Sequence, residues 1–194
     1  MKDKPAWLRP HGTPWKRGTE RVVFENPWIR VTEHAAVAPT GRPATYGVVG
    51  FKNFAIAVLP IHDDGTVILV GQNRFALADY SWEVPEGGSP LGEDPLAGAR
   101  RELAEETGLR AERWSAIGAV NGADSLTNHV DHVFLAQGLT QGEAAREGGE
   151  ADMALCWLSF EQALELVWSG QIRHAGSAYA LLAFGQRRQP PSWS

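Results

Sequence analysis

Glu102, Glu105 and Glu106 crowd together beside Arg101 in a segment whose ends carry helix signals. Asp94 can cap such a helix, Pro95 suits its first turn, and Gly108 can end it in a left-handed conformation, so a helix is expected from about Pro95 to Thr107. At about 100° per residue, Leu96, Ala99, Leu103 and Thr107 form one stripe. The three glutamates fall within an arc of about 100° on another side. Like charges at this spacing repel by roughly 0.2 to 0.5 kcal/mol per pair on a bare helix, and a bound cation reverses that penalty. Mg²⁺ and Mn²⁺ take oxygen ligands in octahedral geometry and keep waters that a phosphate can replace. The chemistry suggested is therefore metal-assisted work on a phosphate. The Gly-rich stretch from Gly87 to Gly92 reads as a turn whose backbone carbonyls approach the same ion, with Arg101 anchoring it through Glu93. Taken alone, the glutamates also fit an ordinary solvated helix face.

The elements around this helix are short. Residues 1 to 20 hold prolines, tryptophans and charges without a period, and read as an extended lead-in that packs through Trp7 and Trp15. Val22-Val23-Phe24, Trp28 to Val31 and Tyr46 to Val49 suggest a small antiparallel sheet, broken at Asn26-Pro27 and at 39 to 43. Runs from Ala55 to Ile61 and Thr66 to Gln72 flank an Asp64-Gly65 hairpin turn, so Asp63 and Asp64 are turn residues rather than metal ligands. Further strands are expected near Arg113 to Val120, Val130 to Ala136 and Met153 to Leu158. A capping box at Ser159 and Gln162 opens a second helix with Ala163, Leu164, Val167 and Trp168 on its apolar face, stopping at Gly170. A third helix spans about Ser177 to Gln186, and the tail from 189 to 194 is loose. The mixture lacks a strict βαβ rhythm, so the fold class expected is α+β, a mixed sheet flanked by helices. The division expected is an N-terminal extension and β domain over 1 to 50, a main domain over 51 to 188, and the tail.

Composition narrows the function classes. The chain has 194 residues, 43% hydrophobic and 21% charged, with 18 basic against 23 acidic side chains and a net charge of -5. That balance leaves no broad basic surface for nucleic acid or anionic lipid. No apolar run approaches the ~20 residues of a membrane span. The single cysteine, Cys156, excludes an intramolecular disulfide and a multi-cysteine zinc site, fits a cytoplasmic location, and reads as a small core residue. His129, Asp131 and His132 supply too few ligands for a closed zinc site and read as strand or cleft-wall residues.

From Gly87 to Leu109 the spacing is Gly, five residues, Glu93, seven residues, then Arg101-Glu102-Leu103-Ala104-Glu105-Glu106-Thr107-Gly108-Leu109. This matches the Nudix box throughout, and the chain is identified as resembling the Nudix hydrolases. The resemblance implies the α/β/α Nudix sandwich and Mg²⁺-dependent hydrolysis of a nucleoside diphosphate linked to another group. It implies metal ligands at Glu102 and Glu106, assistance from Glu105, and the backbone carbonyl of Glu86.

Gln72-Asn73-Arg74 and Trp82-Glu83-Val84-Pro85-Glu86-Gly87-Gly88 resemble the branch that hydrolyses ADP-ribose and nucleoside diphosphate sugars, with Glu86 standing where that branch usually has Ala. The likeness assigns phosphate binding to Arg74 and a sugar or metal contact to Glu83. A guanidinium fork suits a phosphate, and a carboxylate can accept from a ribose hydroxyl. Ser125 to Leu139 also resembles the branch, although Asn128 and His129 stand where acids are common. The same likeness puts the catalytic base in an acidic loop from Glu143 to Asp152, with Glu150 favoured and Glu147 next. It implies a homodimer through the N-terminal β domain, with Trp28 and Tyr46 as candidates to stack a nucleobase, where a stacked base is worth ~1 to 3 kcal/mol. The expected products are a nucleoside monophosphate and a sugar phosphate, with GDP-mannose the nearest rival substrate. A nucleotide-sugar-binding regulator without turnover is the rival from another class.

Overall fold

The structure is a computed structural model describing residues 8, 10–144 and 152–188. Two compact units divide the chain: residues 1–52 with 125–128, and residues 53–124 with 129–194.

The first unit is a three-stranded antiparallel sheet in the order β1 (Lys16–Glu25), β2 (Ile29–Val37), β3 (Pro43–Phe51). Asn26 closes the first hairpin, its Oδ1 accepting from the backbone N–H of Trp28 at 2.9 Å and of Ile29 at 2.8 Å. On β2 the period-two set Thr32, His34 and Ala36 is buried, as a half-covered strand requires. All of β1 is exposed. The lead-in is shorter than its sequence suggests, because Lys16 already pairs with Val37. Residues 125–128 join this unit: Val49 N–H donates to the Leu126 carbonyl at 2.9 Å, and Phe51 N–H donates to Asn128 Oδ1 at 2.7 Å. Asn128 therefore has a structural task.

The second unit is a seven-stranded mixed sheet. Its main path runs β10 (Ala154–Ser159), β5 (Thr66–Arg74), β4 (Asn53–Ile61), β9 (Asp131–Gln141), β8 (Leu109–Val120), while β6 (Asp79–Glu83) pairs with β5 and β7 (Glu86–Pro90) with β4. Strands β4 and β9 run parallel, from Ala55 opposite Asp131 to Ile61 opposite Gln137. The apolar runs of β4 and β5 have no polar face because helices cover both sides. Ile56, Val58 and Ile68 meet Ala99 and Leu103 of α1 (Pro95–Thr107). Ala57, Leu59 and Leu69 point the other way, toward Phe160 and Ala163 of α2 (Phe160–Trp168) and Leu181 of α3 (Ala175–Arg188). This alternation makes the sandwich, each fully buried Leu or Ile contributing about 1.5 to 3 kcal/mol.

The local signals behave as expected in most places. Gly65 has φ +86° in the β4–β5 hairpin, and Asp64 Oδ1 accepts from Thr66 N–H at 2.9 Å. The Ser159–Gln162 capping box forms in both directions, at 2.9 and 3.1 Å. Four expectations need correction. Cys156 is exposed, because among the described residues β10 is an edge strand, paired with β5. Trp168 is also exposed, lying in the last turn of α2 beyond the neighbours that cover Ala163. The glycine-rich stretch begins as a strand, β7, drawn into the sheet by pairing with β4. The third helix starts two residues earlier, at Ala175.

Candidate active site

Helix α1 is built as its caps predict. Asp94 accepts from Leu96 N–H, Pro95 opens the first turn, and Gly108 closes it at φ +73°. Its glutamates do not share one solvated face. Glu102 and Glu106 are buried, Glu106 at 1% exposure, while Glu105 is only partly buried. The reason is β7, which lies against this side of α1. Gly87 of β7 passes so close to Glu102 that a Cβ there would overlap its carboxylate. Arg101 ties the two elements together, donating to the Gly88 carbonyl at 3.0 Å, to Glu102 at 2.6 Å and to Glu105 at 3.1 Å, with Glu93 at 3.6 Å. The expected Arg101–Glu93 anchor is thus one strand of a larger clasp.

A second cluster adjoins the first through one residue. The backbone N–H of Glu86 donates to Glu106 Oε2 at 3.0 Å, while the Glu86 side chain meets Arg74 and His174. Arg74, at the end of β5, donates from Nε to Glu83 Oε1 at 3.2 Å and from Nη2 to both Glu83 Oε2 and Glu86 Oε1. Register explains the meeting of Arg74 and Glu83: β5 and β6 pair from Val70–Glu83 to Arg74–Asp79. His174 Nδ1 lies 2.7 Å from Glu86 Oε2. It precedes α3, where Ser177 Oγ lies 3.1 Å from the same nitrogen and accepts from Val84 N–H at 3.0 Å. The start of α3 is therefore stitched to the β6–β7 link.

Burial and charge compete at each of these groups. Burial alone would raise the Glu83 carboxyl, but hydrogen bonds from Arg74 and Ser81 outweigh it and hold the group below its usual range. At Glu86 burial wins and pushes the carboxyl up, although His174 and Arg74 oppose it. Burial would lower His174, yet the hydrogen bond and charge of Glu86 raise it. Arg74 is likewise raised by Glu83 and Glu86 against its own burial.

These residues line a cavity of about 600 Å³ that includes Arg74, Phe75, Glu83, Glu86, Arg173 and His174. Phe75 is fully exposed at its rim, and Arg173 pairs with Asp79. A larger cavity of about 690 Å³ between α2 and α3 contains none of these side chains.

The donor set could hold a divalent cation. Carboxylate oxygens dominate, and one ligand atom each from Glu83, Glu86 and His174 lie within 4.8 Å of one another. The buried Glu102 and Glu106 carry further carboxylates on the adjoining helix.

Of the residues singled out in the sequence, Arg74, Glu83, Glu86, Glu102 and Glu106 are thus brought together, with Glu105 at the outer edge on Arg101. Trp28 and Tyr46 lie in the first unit: Trp28 is 66% exposed, and Tyr46 packs edge-on against Trp15 at 5.4 Å between ring centroids. Glu147 and Glu150 fall outside the described residues. His129 Nδ1 lies 3.1 Å from the buried Asp131, and His132 stacks edge-on with Phe54 at 5.0 Å. His174 is the residue that sequence reading missed. Its signal was faint: a histidine one residue before a helix, where an imidazole nitrogen can cap.

Comparison with known proteins divides the chain near residue 50 as well, with residues 125–128 falling inside the longer match. Residues 52–177 match the NUDIX domain, and residues 15–49 match the nucleoside diphosphate sugar hydrolase N-terminal domain. The chain is 35% identical over 160 residues to an ADP-ribose pyrophosphatase of Bacillus subtilis (strain 168), covering 82% of this chain and 86% of that protein. It is 28% identical over 180 residues to a CMP-5'-(N-acetyl-N-hydroxy-3-aminopropyl)phosphonate hydrolase of Streptomyces rubellomurinus (strain ATCC 31215), covering 91% and 86%. A solved structure described as an ADP compounds hydrolase shares the fold, with a TM-score of 0.81 at 18% identity over 94% of this chain and 99% of that one. With the box helix, its buried glutamates and the matched length in agreement, the chain belongs to the Nudix domain family and carries the N-terminal domain of the nucleoside diphosphate sugar hydrolases.

Proposed function

We propose that this Nudix hydrolase uses Mg²⁺ to cut the diphosphate of ADP-ribose, or of a related nucleoside diphosphate sugar, into a nucleoside monophosphate and a sugar phosphate. The observation that carries this reading is the junction at Glu86, whose N–H holds Glu106 while its side chain meets Arg74. Carboxylates fit for a divalent cation thereby lie next to a guanidinium fit for a phosphate. The relatives' pyrophosphatase names support the substrate class.

Glu102 and Glu106 would hold the metal, with Glu105 and the Glu86 carbonyl assisting; when bound, the ion supplies a Lewis acid that neutralises phosphate charge. Mn²⁺ meets the same oxygen donors. Arg74 binds a phosphate oxygen, and Glu83, fixed by Arg74, accepts from a sugar hydroxyl. Glu150, with Glu147 next, takes the proton of the attacking water. Trp28 stacks the base, with Tyr46 second. The exposed apolar residues Val22, Val23, Phe24 and Trp28 of the N-terminal sheet support a homodimer through that unit. The single cysteine supports a cytoplasmic location.

The test is incubation with Mg²⁺ and a panel of ADP-ribose, GDP-mannose, other ADP- and UDP-sugars, dinucleoside polyphosphates and nucleoside triphosphates, with products separated by chromatography. A nucleoside monophosphate plus a sugar phosphate supports the proposal, and the preferred base decides between ADP-ribose and GDP-mannose. Pyrophosphate release from triphosphates alone discards the substrate class. Binding without turnover turns the protein into a regulator. Glu150→Gln is expected to reduce turnover far more than Glu147→Gln, and the opposite ranking moves the base to Glu147.

A further inference from the structure

Arg74 has five N–H donors in a planar fork. Nε serves Glu83, and Nη2 serves both Glu83 and Glu86, so among the described residues these bonds leave the two protons of Nη1. An end-on, two-pronged grip on a phosphate needs one proton from Nη1 and one from Nη2. The proton that Nη2 would offer is already given to Glu86. Glu86 in turn is held in place by His174, at 2.7 Å on its other oxygen, and its side chain is largely buried. A carboxylate therefore stands where a second phosphate oxygen would bind.

We propose that the Glu86 side chain is a specificity-determining residue that competes with phosphate for Arg74, confining the guanidinium to a one-pronged grip and weakening the enzyme's hold on a diphosphate. This rests on the reading of Arg74 as the phosphate ligand. It concerns the side chain of Glu86 alone, since the backbone N–H that holds Glu106 survives any substitution but proline. Alanine at this position removes the carboxylate that occupies Nη2. Two effects follow from one carboxylate. It removes a charge-assisted hydrogen bond from the phosphate, and it places a like charge beside the incoming anion.

The experiment compares the wild type with Glu86→Ala, Glu86→Gln, Arg74→Ala and Glu86→Ala/Arg74→Ala. Two readouts are used: calorimetric affinity for inorganic pyrophosphate in EDTA, and KM and kcat separately for ADP-ribose with Mg²⁺. A charge-assisted hydrogen bond is worth about 1.5 kcal/mol or more, which is about tenfold in affinity. Glu86→Ala is therefore expected to bind pyrophosphate about tenfold more tightly and to lower KM in the same direction, with Glu86→Gln between it and the wild type. The gain must vanish in the Arg74→Ala background, because Arg74 is the group set free. A merely structural Glu86 would lower the melting temperature without producing a gain that depends on Arg74. Unchanged or weaker pyrophosphate binding by Glu86→Ala overturns the proposal, as does an equal gain without Arg74, or no pyrophosphate binding by any of the proteins. If pyrophosphate affinity shifts as expected while no nucleotide sugar is hydrolysed, the proposed function fails and the competition at Arg74 stands.

Discussion

Replacing Glu83 by alanine strips Arg74 of its most buried partner. Glu83 is 2% exposed and receives two bonds from the guanidinium, at Nε and Nη2. Each charge-assisted bond is worth about 1.5 to 3 kcal/mol, which sets a ceiling of about 3 to 6 kcal/mol. Losing one partner of a buried ion pair costs about 3 to 5 kcal/mol. Two features reduce the figure here. The Arg74 side chain is 32% exposed, so water can replace part of what is lost, and Glu86 keeps its hold on Nη2. A destabilisation of about 2 kcal/mol remains, and in a protein of this size each kcal/mol lowers the melting temperature by roughly 2 to 4 °C. Melting of wild type, Glu83→Ala, Arg74→Ala and the double variant in EDTA should show Glu83→Ala lower by about 4 to 8 °C. The two single losses should overlap by about 1 kcal/mol or more in the double variant. A Glu83→Ala protein melting with the wild type, or strictly additive losses, would refute the view that these side chains form one coupled pair.

Three further outcomes are expected. Mg²⁺ at about 100 times its dissociation constant should stabilise the wild type by about 2.7 kcal/mol, and Glu106→Gln should lose most of that shift while melting normally in EDTA. An undiminished Mg²⁺ shift in Glu106→Gln would remove that residue from the metal site. Gly87→Ala drives a Cβ into the Glu102 carboxylate, so both turnover and Mg²⁺ stabilisation should fall, and a variant normal in both would contradict the close approach of β7 to α1. The pH dependence has two edges. Glu83 is held below the ordinary value of 4.5, so its contribution to stability is complete above that pH and is lost as the pH falls through its folded value. His174 is held above its ordinary 6.5, so its contribution is complete below that pH and is lost as the pH rises through its folded value. Thermal melts in EDTA across pH should show both edges, and His174→Ala should abolish the alkaline one.

Much of the site was legible because it is local. The caps at Asp94 and Gly108, the Asp64 turn and the Ser159–Gln162 box each depend on residues within a few positions, and each formed as their spacing requires. What failed depended on distant chain. Glu102 and Glu106 look solvated on a helical projection, and the packing of the sheet, β7 above all at Glu102, against α1 buries them. Cys156 sits in an apolar run, yet at an edge strand one face of such a run meets water. His174 reaches Glu86 across 88 residues of sequence, a distance over which neither periodicity nor capping rules carry information.

The assignment of residues 125–128 to the N-terminal sheet has a bearing on dissection of the molecule. Cutting after Lys52 would not release a self-sufficient catalytic fragment. Val49 and Phe51 would leave with the excised piece, and the backbone carbonyl of Leu126 and the amide of Asn128 would lose the donors they now accept from. That stretch sits between β8 and β9, so its fraying would begin at the two strands that border it. The boundary between the units is thus a boundary in space that the polypeptide crosses more than once, and a faithful isolated catalytic unit requires a redesigned connection from Asp124 to His129 as well as a new N-terminus.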